Sequence, residues 1–81
     1  MYINIGSNKY ITDKSIIGVF DIDDMQNSKE LIIYLQKAEK NSKIINAAKE
    51  IPRSFIICNE NGEEKIYLSQ YAVNTLKNKL S

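Results

Sequence analysis

Histidine and tryptophan are missing from this sequence, and cysteine, proline and arginine occur once each among 81 residues. Without histidine there is no Cys/His zinc site to assemble and no Ser–His or Cys–His nucleophilic pair. No side chain of ordinary pKa is left to act as a general base near neutral pH. One cysteine cannot close a disulfide within the chain, and a single unpaired thiol fits a reducing, cytoplasmic setting. The three glycines, Gly6, Gly18 and Gly62, are scattered and form no phosphate loop. No apolar run approaches the ~18 residues that a membrane span needs. Met1 to Ile5 lacks the basic and apolar regions of a secretory signal. No repeat, linker or low-complexity tract divides the chain, which reads as a single domain over residues 1–81.

Charge of one sign is not in excess either. Eleven Lys/Arg stand against ten Asp/Glu, well short of the strongly basic balance of many isolated DNA-binding domains. The charges are unevenly spread. Residues 1–24 carry Lys9 and Lys14 against Asp13, Asp21, Asp23 and Asp24, whereas residues 37–53 carry Lys37, Lys40, Lys43, Lys49 and Arg53 against Glu39 and Glu50. Such a basic middle is either a patch for a polyanion or a solvated helix face.

At this length the core is small. With a Cys/His zinc site and an internal disulfide excluded, self-association is the way left to add buried surface, and the 43% hydrophobic content can supply it.

The most definite element is Ile51-Pro52-Arg53-Ser54-Phe55-Ile56-Ile57-Cys58-Asn59. Proline cannot donate to a sheet ladder and so marks a strand entrance. Phe55 to Cys58 is a short apolar run of the kind buried on both faces, which makes Cys58 a buried hydrophobe and not a nucleophile. Asn59 to Glu63 turns the chain and Glu64 to Ser69 returns, a hairpin with Gly62 at positive φ. Upstream, Met1–Ile5 and Lys9–Thr12 read as an opening hairpin. Ser15–Ile22 reads as a third strand in which Gly18 marks a bulge or a close backbone approach. A helix starts after Asn27 as N-cap, with Glu30 three residues on. Leu31, Tyr34, Leu35 and Ala38 form its apolar stripe, and Ile32 and Ile33 widen that stripe into a second contact surface or a deeply sunk helix face. Lys43–Asn46 is a short strand or a further helical turn. Ser69 caps a closing helix with Ala72, Val73, Leu76 and Leu80 on one face. The order predicts an α+β domain with a small, largely antiparallel sheet, one central helix and one C-terminal helix.

Asp21, Asp23 and Asp24 could suit a hard cation, but strand alternation separates Asp24 from the other two, and no metal is assigned. The five tyrosines could stack on bases, yet their spacing is that of core packing. No catalytic residue and no cofactor emerges.

Three blocks resemble the bacterial extracellular-matrix regulators RemA and RemB, and are closest to the RemB branch. They are Tyr2-Ile3-Asn4-Ile5-Gly6, then Lys14-Ser15-Ile16-Ile17-Gly18-Val19-Phe20-Asp21, then Pro52-Arg53-Ser54-Phe55-Ile56-Ile57 followed by Ile66-Tyr67-Leu68-Ser69 and Thr75-Leu76. The resemblance implies a DNA-binding transcriptional regulator of biofilm-matrix genes, with a LytTR-like protomer that assembles into a ring. It implies double-stranded DNA and further copies of the chain as partners, and neither a membrane nor a small-molecule substrate. Lys14 stands where the family commonly has arginine, and so keeps the charge without the planar fork. Arg53 matches the arginine opening the central strand. Glu50 and Ile51 replace the arginine pair of the RemA branch, and Lys43 and Lys49 are the candidates to substitute for it. Arg53 is either a phosphate contact or the partner of Glu50 or Glu64 in a salt bridge. The alternative function is an oligomeric protein-interaction module of the same fold without DNA binding.

Overall fold

A computed structural model describes residues 1–80. The opening hairpin pairs β1 (Tyr2–Gly6) with β2 (Lys9–Thr12). Ser7 and Asn8, with φ of 43° and 64°, form its turn, the doubly left-handed geometry whose twist matches paired strands. Gly6 has φ +133°, and a Cβ there would lie 2.5 Å from the Ala47 carbonyl oxygen. Only glycine satisfies both conditions.

A single 3-10 turn, Asp13–Ser15, leads into β3 (Ile16–Asp21). Gly18 sits at a bulge, since Ile16 pairs with Cys58 and Gly18 with Ile57, which leaves Ile17 as the extra, outward residue. The strand stops one residue short of the expected Ile22. The Asp21 carboxylate accepts the Asp23 N–H at 2.8 Å and caps a four-residue helix, α1 (Ile22–Met25). The three aspartates therefore straddle a strand–helix junction and do not alternate along a strand.

The central helix α2 (Lys29–Lys40) is capped by Ser28, one residue beyond the expected Asn27. Ser28 Oγ accepts the Leu31 N–H at 3.2 Å, and the hydroxyl lies 3.3 Å from Glu30 Oε2. β4 (Ile44–Asn46) is a strand, not a helical turn, and runs parallel to β6. β5 (Ser54–Glu60) and β6 (Glu63–Ser69) form the long hairpin. Its turn shrinks to Asn61 and Gly62, with φ of 55° and 83°. Asn59 Oδ1 takes the Gly62 N–H at 2.9 Å, so Asn59, Glu60 and Glu63 stay in the ladder.

The closing helix α3 spans Val73–Leu80. Ser69 does not cap it. Its buried hydroxyl donates to the Ile5 carbonyl at 2.7 Å and accepts the Tyr71 N–H at 3.1 Å, pinning the end of β6 to β1.

The four-stranded sheet has the order β3-β5-β6-β4, antiparallel except at the β4 edge. Alternation along β5 feeds two cores. Ile56 and Cys58 face the opening hairpin and α3, where they pack with Ile3, Ile5, Ile11, Tyr67 and Leu76. Phe55 and Ile57 face α2, where Ala38, Ile66, Leu31 and Leu35 meet them. Phe20 stacks on Phe55 at 5.2 Å between centroids. The double-sided burial read from the apolar run is thus realised, with α2 on one face and the hairpin with α3 on the other. Cys58 is fully buried, and burial pushes its thiol pKa up, as expected of a packing residue.

Candidate nucleic-acid interface

β3 and β5 run antiparallel, with Ile16 opposite Cys58 and Asp21 opposite Ser54. Lys14 precedes β3 and Arg53 precedes β5, so the two cations lie at opposite ends of one ribbon. Six strand residues separate those ends by about 20 Å.

Lys14 projects from the 3-10 turn and is exposed. The turn is well held. Ser15 Oγ donates to the Thr12 carbonyl at 2.7 Å, and the Asp13 N–H donates to the Met1 carbonyl at 3.0 Å. The terminal ammonium pairs with Asp13 at 3.2 Å and holds that carboxyl below its usual range. The acid next to Lys14 in sequence is therefore matched elsewhere, and among the described residues Lys14 forms no ion pair of its own.

Arg53 is fixed by its backbone. Its N–H donates to the Ser69 carbonyl at 2.8 Å, and its carbonyl accepts the Ile22 N–H at 3.2 Å. The guanidinium belongs to an exposed residue beside an open cleft of about 240 Å3, lined also by Asp21, Asp23, Ile51 and Pro52. Among the described residues it pairs with neither Glu50 nor Glu64 within 4 Å. Glu64 instead accepts a hydrogen bond from the Tyr34 hydroxyl on the α2 side of the sheet. Burial, aided by that carboxylate, pushes the Tyr34 pKa up to about 12.

Lys49 and Lys43 go to different places although six residues apart. The Lys49 N–H donates to Gln70 Oε1 at 2.8 Å, which puts it at the β6 end that also anchors Arg53. Lys43 precedes β4. Its carbonyl accepts the Ile66 N–H at 2.9 Å, and it borders a small cleft with Tyr34, Lys37 and Glu64. Lys43 thus shares the hairpin-tip end of the sheet with Lys14, but at the opposite edge. The structure anchors Lys49 and Arg53 at the same end of β6, and places Lys14 and Lys43 at the other end of the sheet on opposite edges.

Two tyrosines depart from the packing expectation. Tyr67 is buried, and Tyr34 and Tyr71 are half-buried. Tyr2 and Tyr10, however, are 71% and 57% exposed. They occupy the outward face of the opening hairpin, where Tyr2 lies opposite Thr12 and Tyr10 opposite Asn4, while Ile3, Ile5 and Ile11 point inward. The alternation of β1 and β2 was the signal that could have placed them outside.

Among the described residues no three Cys, Asp or Glu side chains gather as a metal site, and no helix is long and apolar enough to cross a membrane. The arrangement is a small α+β module with Lys14 and Arg53 exposed at opposite ends of the β3–β5 ribbon. The chain matches the RemA-like family, extracellular matrix regulatory protein A-like, over residues 2–80, and it belongs to that family. The family is a regulatory one. No individually curated protein matches the chain.

Proposed function

We propose that this chain is a RemB-like, ring-forming transcriptional regulator of extracellular-matrix genes, active in the cytoplasm, that holds double-stranded DNA mainly through backbone phosphates. It has no catalytic role. The observation that carries the reading, beyond family membership, is the exposure of Lys14 and Arg53 at opposite ends of the β3–β5 ribbon, neither in an ion pair among the described residues. One protomer alone offers two separated charges. Head-to-tail packing, in which different surfaces of successive copies meet and the rotation closes, sets the Lys14 end of one copy beside the Arg53 end of the next. Weak phosphate contacts then add along the tethered array. Lys49 reinforces the Arg53 end, and Lys43 extends the Lys14 end towards the other sheet edge.

Fluorescence anisotropy with a labelled duplex tests this. Wild-type protein, with a light-scattering mass several times 9.3 kDa, is expected to bind. The pair Lys14→Ala/Arg53→Ala is expected to lose at least tenfold in affinity, whereas Lys14→Arg/Arg53→Lys retains most of it. Equal affinity in the alanine pair removes the assigned contacts.

A second reading has a specific observation behind it. Asp21 and Asp23 line the same cleft as Arg53, and Ile51 beside them is 84% exposed. This mixed apolar and charged surface suits a protein partner as well as it suits a phosphate, and the alternative is an oligomeric interaction module without DNA binding. Absence of duplex binding by the assembled wild type would favour it.

A further inference from the structure

The outward face of the opening hairpin carries a site that phosphate contact does not use. Tyr2 and Tyr10 are diagonal neighbours across β1 and β2, a relation that puts their Cβ atoms roughly 7 Å apart. That spacing is about twice the 3.4 Å rise between stacked bases, enough to admit one planar ring system. Neither hydroxyl forms a hydrogen bond among the described residues. The two tyrosines open onto a cleft of about 440 Å3 that is also lined by Thr12, Lys14, Asn59 and Asn61, a volume within the range of small-ligand clefts.

The charges in this cleft favour an anion. Glu60 is its one carboxylate, and Glu60 Oε1 is already engaged by the Tyr67 hydroxyl at 2.7 Å and by Lys65 at 3.5 Å. Asp13 is turned to the terminal ammonium. Lys14 is the one cation lining the cleft, and among the described residues it forms no ion pair within 4 Å. Asn59 Oδ1 is spent on the Gly62 N–H, which leaves its amide NH2 to donate, and Asn61 at the hairpin tip is exposed with both amide functions open. Aromatic faces, one ammonium and amide groups at the rim complement a nucleobase joined to a phosphate.

We infer that the cleft between Tyr2, Tyr10 and Lys14 binds an unstacked nucleotide, its base against the tyrosines and its phosphate on Lys14. Bases inside a duplex hide their faces against one another, so such a site reads either a free nucleotide or an unpaired base in a strand. The site shares Lys14 with the proposed duplex contact, but Tyr2 and Tyr10 have no part in that contact.

Calorimetric titration of the full chain with adenosine monophosphate, with a ten-residue oligothymidylate and with a blunt duplex tests the assignment. Tyr2→Ala/Tyr10→Ala is expected to lose about tenfold or more in affinity for the single strand, the scale of one lost base–aromatic stack. Tyr2→Phe/Tyr10→Phe keeps the stacking faces and restores binding. Circular dichroism of all variants checks that these exposed substitutions leave the fold intact. Monophosphate binding as tight as that of the oligonucleotide identifies a free nucleotide as the ligand, and oligonucleotide binding alone identifies a strand; either supports the site. Single-strand binding unchanged in the alanine pair overturns it. So does failure of both the monophosphate and the oligothymidylate while the duplex binds, which leaves the duplex reading standing. Single-strand binding without duplex binding has the reverse meaning. A fall in particle mass in the alanine pair also overturns it, because the face would then be a contact between copies.

Discussion

Single residues here are decided by what their neighbours leave open. Gly6 and Gly62 both have positive φ, at +133° and +83°, but they differ in surroundings. A side chain on Gly62 meets nothing within 4 Å, whereas one on Gly6 runs into the Ala47 carbonyl at 2.5 Å. Gly62→Ala should therefore cost only the left-handed penalty of about 1 kcal/mol. Gly6→Ala adds a backbone clash at the junction of hairpin and sheet and should cost on the order of 3 kcal/mol. Urea unfolding of the two variants measures the difference, and equal losses would contradict it. Two tyrosines give a pH signature. Tyr34 is pushed up to about 12 and Tyr67 higher, each by burial first and then by its carboxylate, Glu64 or Glu60. The folded pKa values exceed the ordinary value near 10, so the protonated forms stabilise the fold fully below about pH 10, and that contribution is lost as pH rises towards 12. Alkaline titration followed by tyrosinate absorbance and circular dichroism should show unfolding over that window. Glu64→Gln and Glu60→Gln, which keep a partner without the charge, should shift it.

At the scale of elements, the sequence was most readable where burial alone decides. Phe55 to Cys58 announced a central strand, and both neighbouring layers confirm it by taking alternate residues. Gly18 announced a bulge or a close backbone approach, and the bulge is what forms, with Ile17 as the residue it expels. Element ends were less legible because they depend on which of several adjacent polar side chains reaches a free N–H. Asn27 and Ser28 both suit an N-cap, and Ser28 is the one whose oxygen meets the Leu31 N–H. Ser28→Ala should thus lower stability by about 1 kcal/mol and Asn27→Ala by little, as thermal unfolding would show. The reverse order would restore the original assignment. Ser69 has the composition of a cap, yet the long-range contact with Ile5 claims it, and no local pattern foretells a partner 64 residues away. In the candidate site, the places of Lys14 before the third strand and of Arg53 before the central strand were legible in the sequence, whereas the exposure of both is a finding of the structure. The grouping of Lys49 with Arg53, and not with Lys43, was not legible, because it depends on the loop after β4 returning to Gln70 and Ser69.

The whole molecule buries two modest cores around one sheet and still exposes Ile17, Ile33 and Ile51 at 61%, 60% and 84%. A chain this short has little surplus stability, and apolar groups left outside are what assembly can cover. Ile33 lies on the widened stripe of α2, while Ile32 and Leu35 border an apolar groove of about 350 Å3 against the sheet. The helix is therefore not sunk in the core, and its outer face remains available to another copy. Under the proposed function, assembly also reconciles a net charge of +1 with a polyanionic target, since repetition and not total charge supplies the contacts.

The slope of log affinity for duplex DNA against log salt concentration tests that claim most directly. Each phosphate neutralised contributes about −0.9 to the slope, so Lys14, Lys43, Lys49 and Arg53 of a single protomer can account for no more than about −3.6. The proposed ring predicts a steeper slope, which becomes distinctly shallower in the Lys14→Ala/Arg53→Ala pair. A wild-type slope of −3.6 or shallower, or one that the paired substitution leaves unchanged, contradicts a cationic track built from many copies.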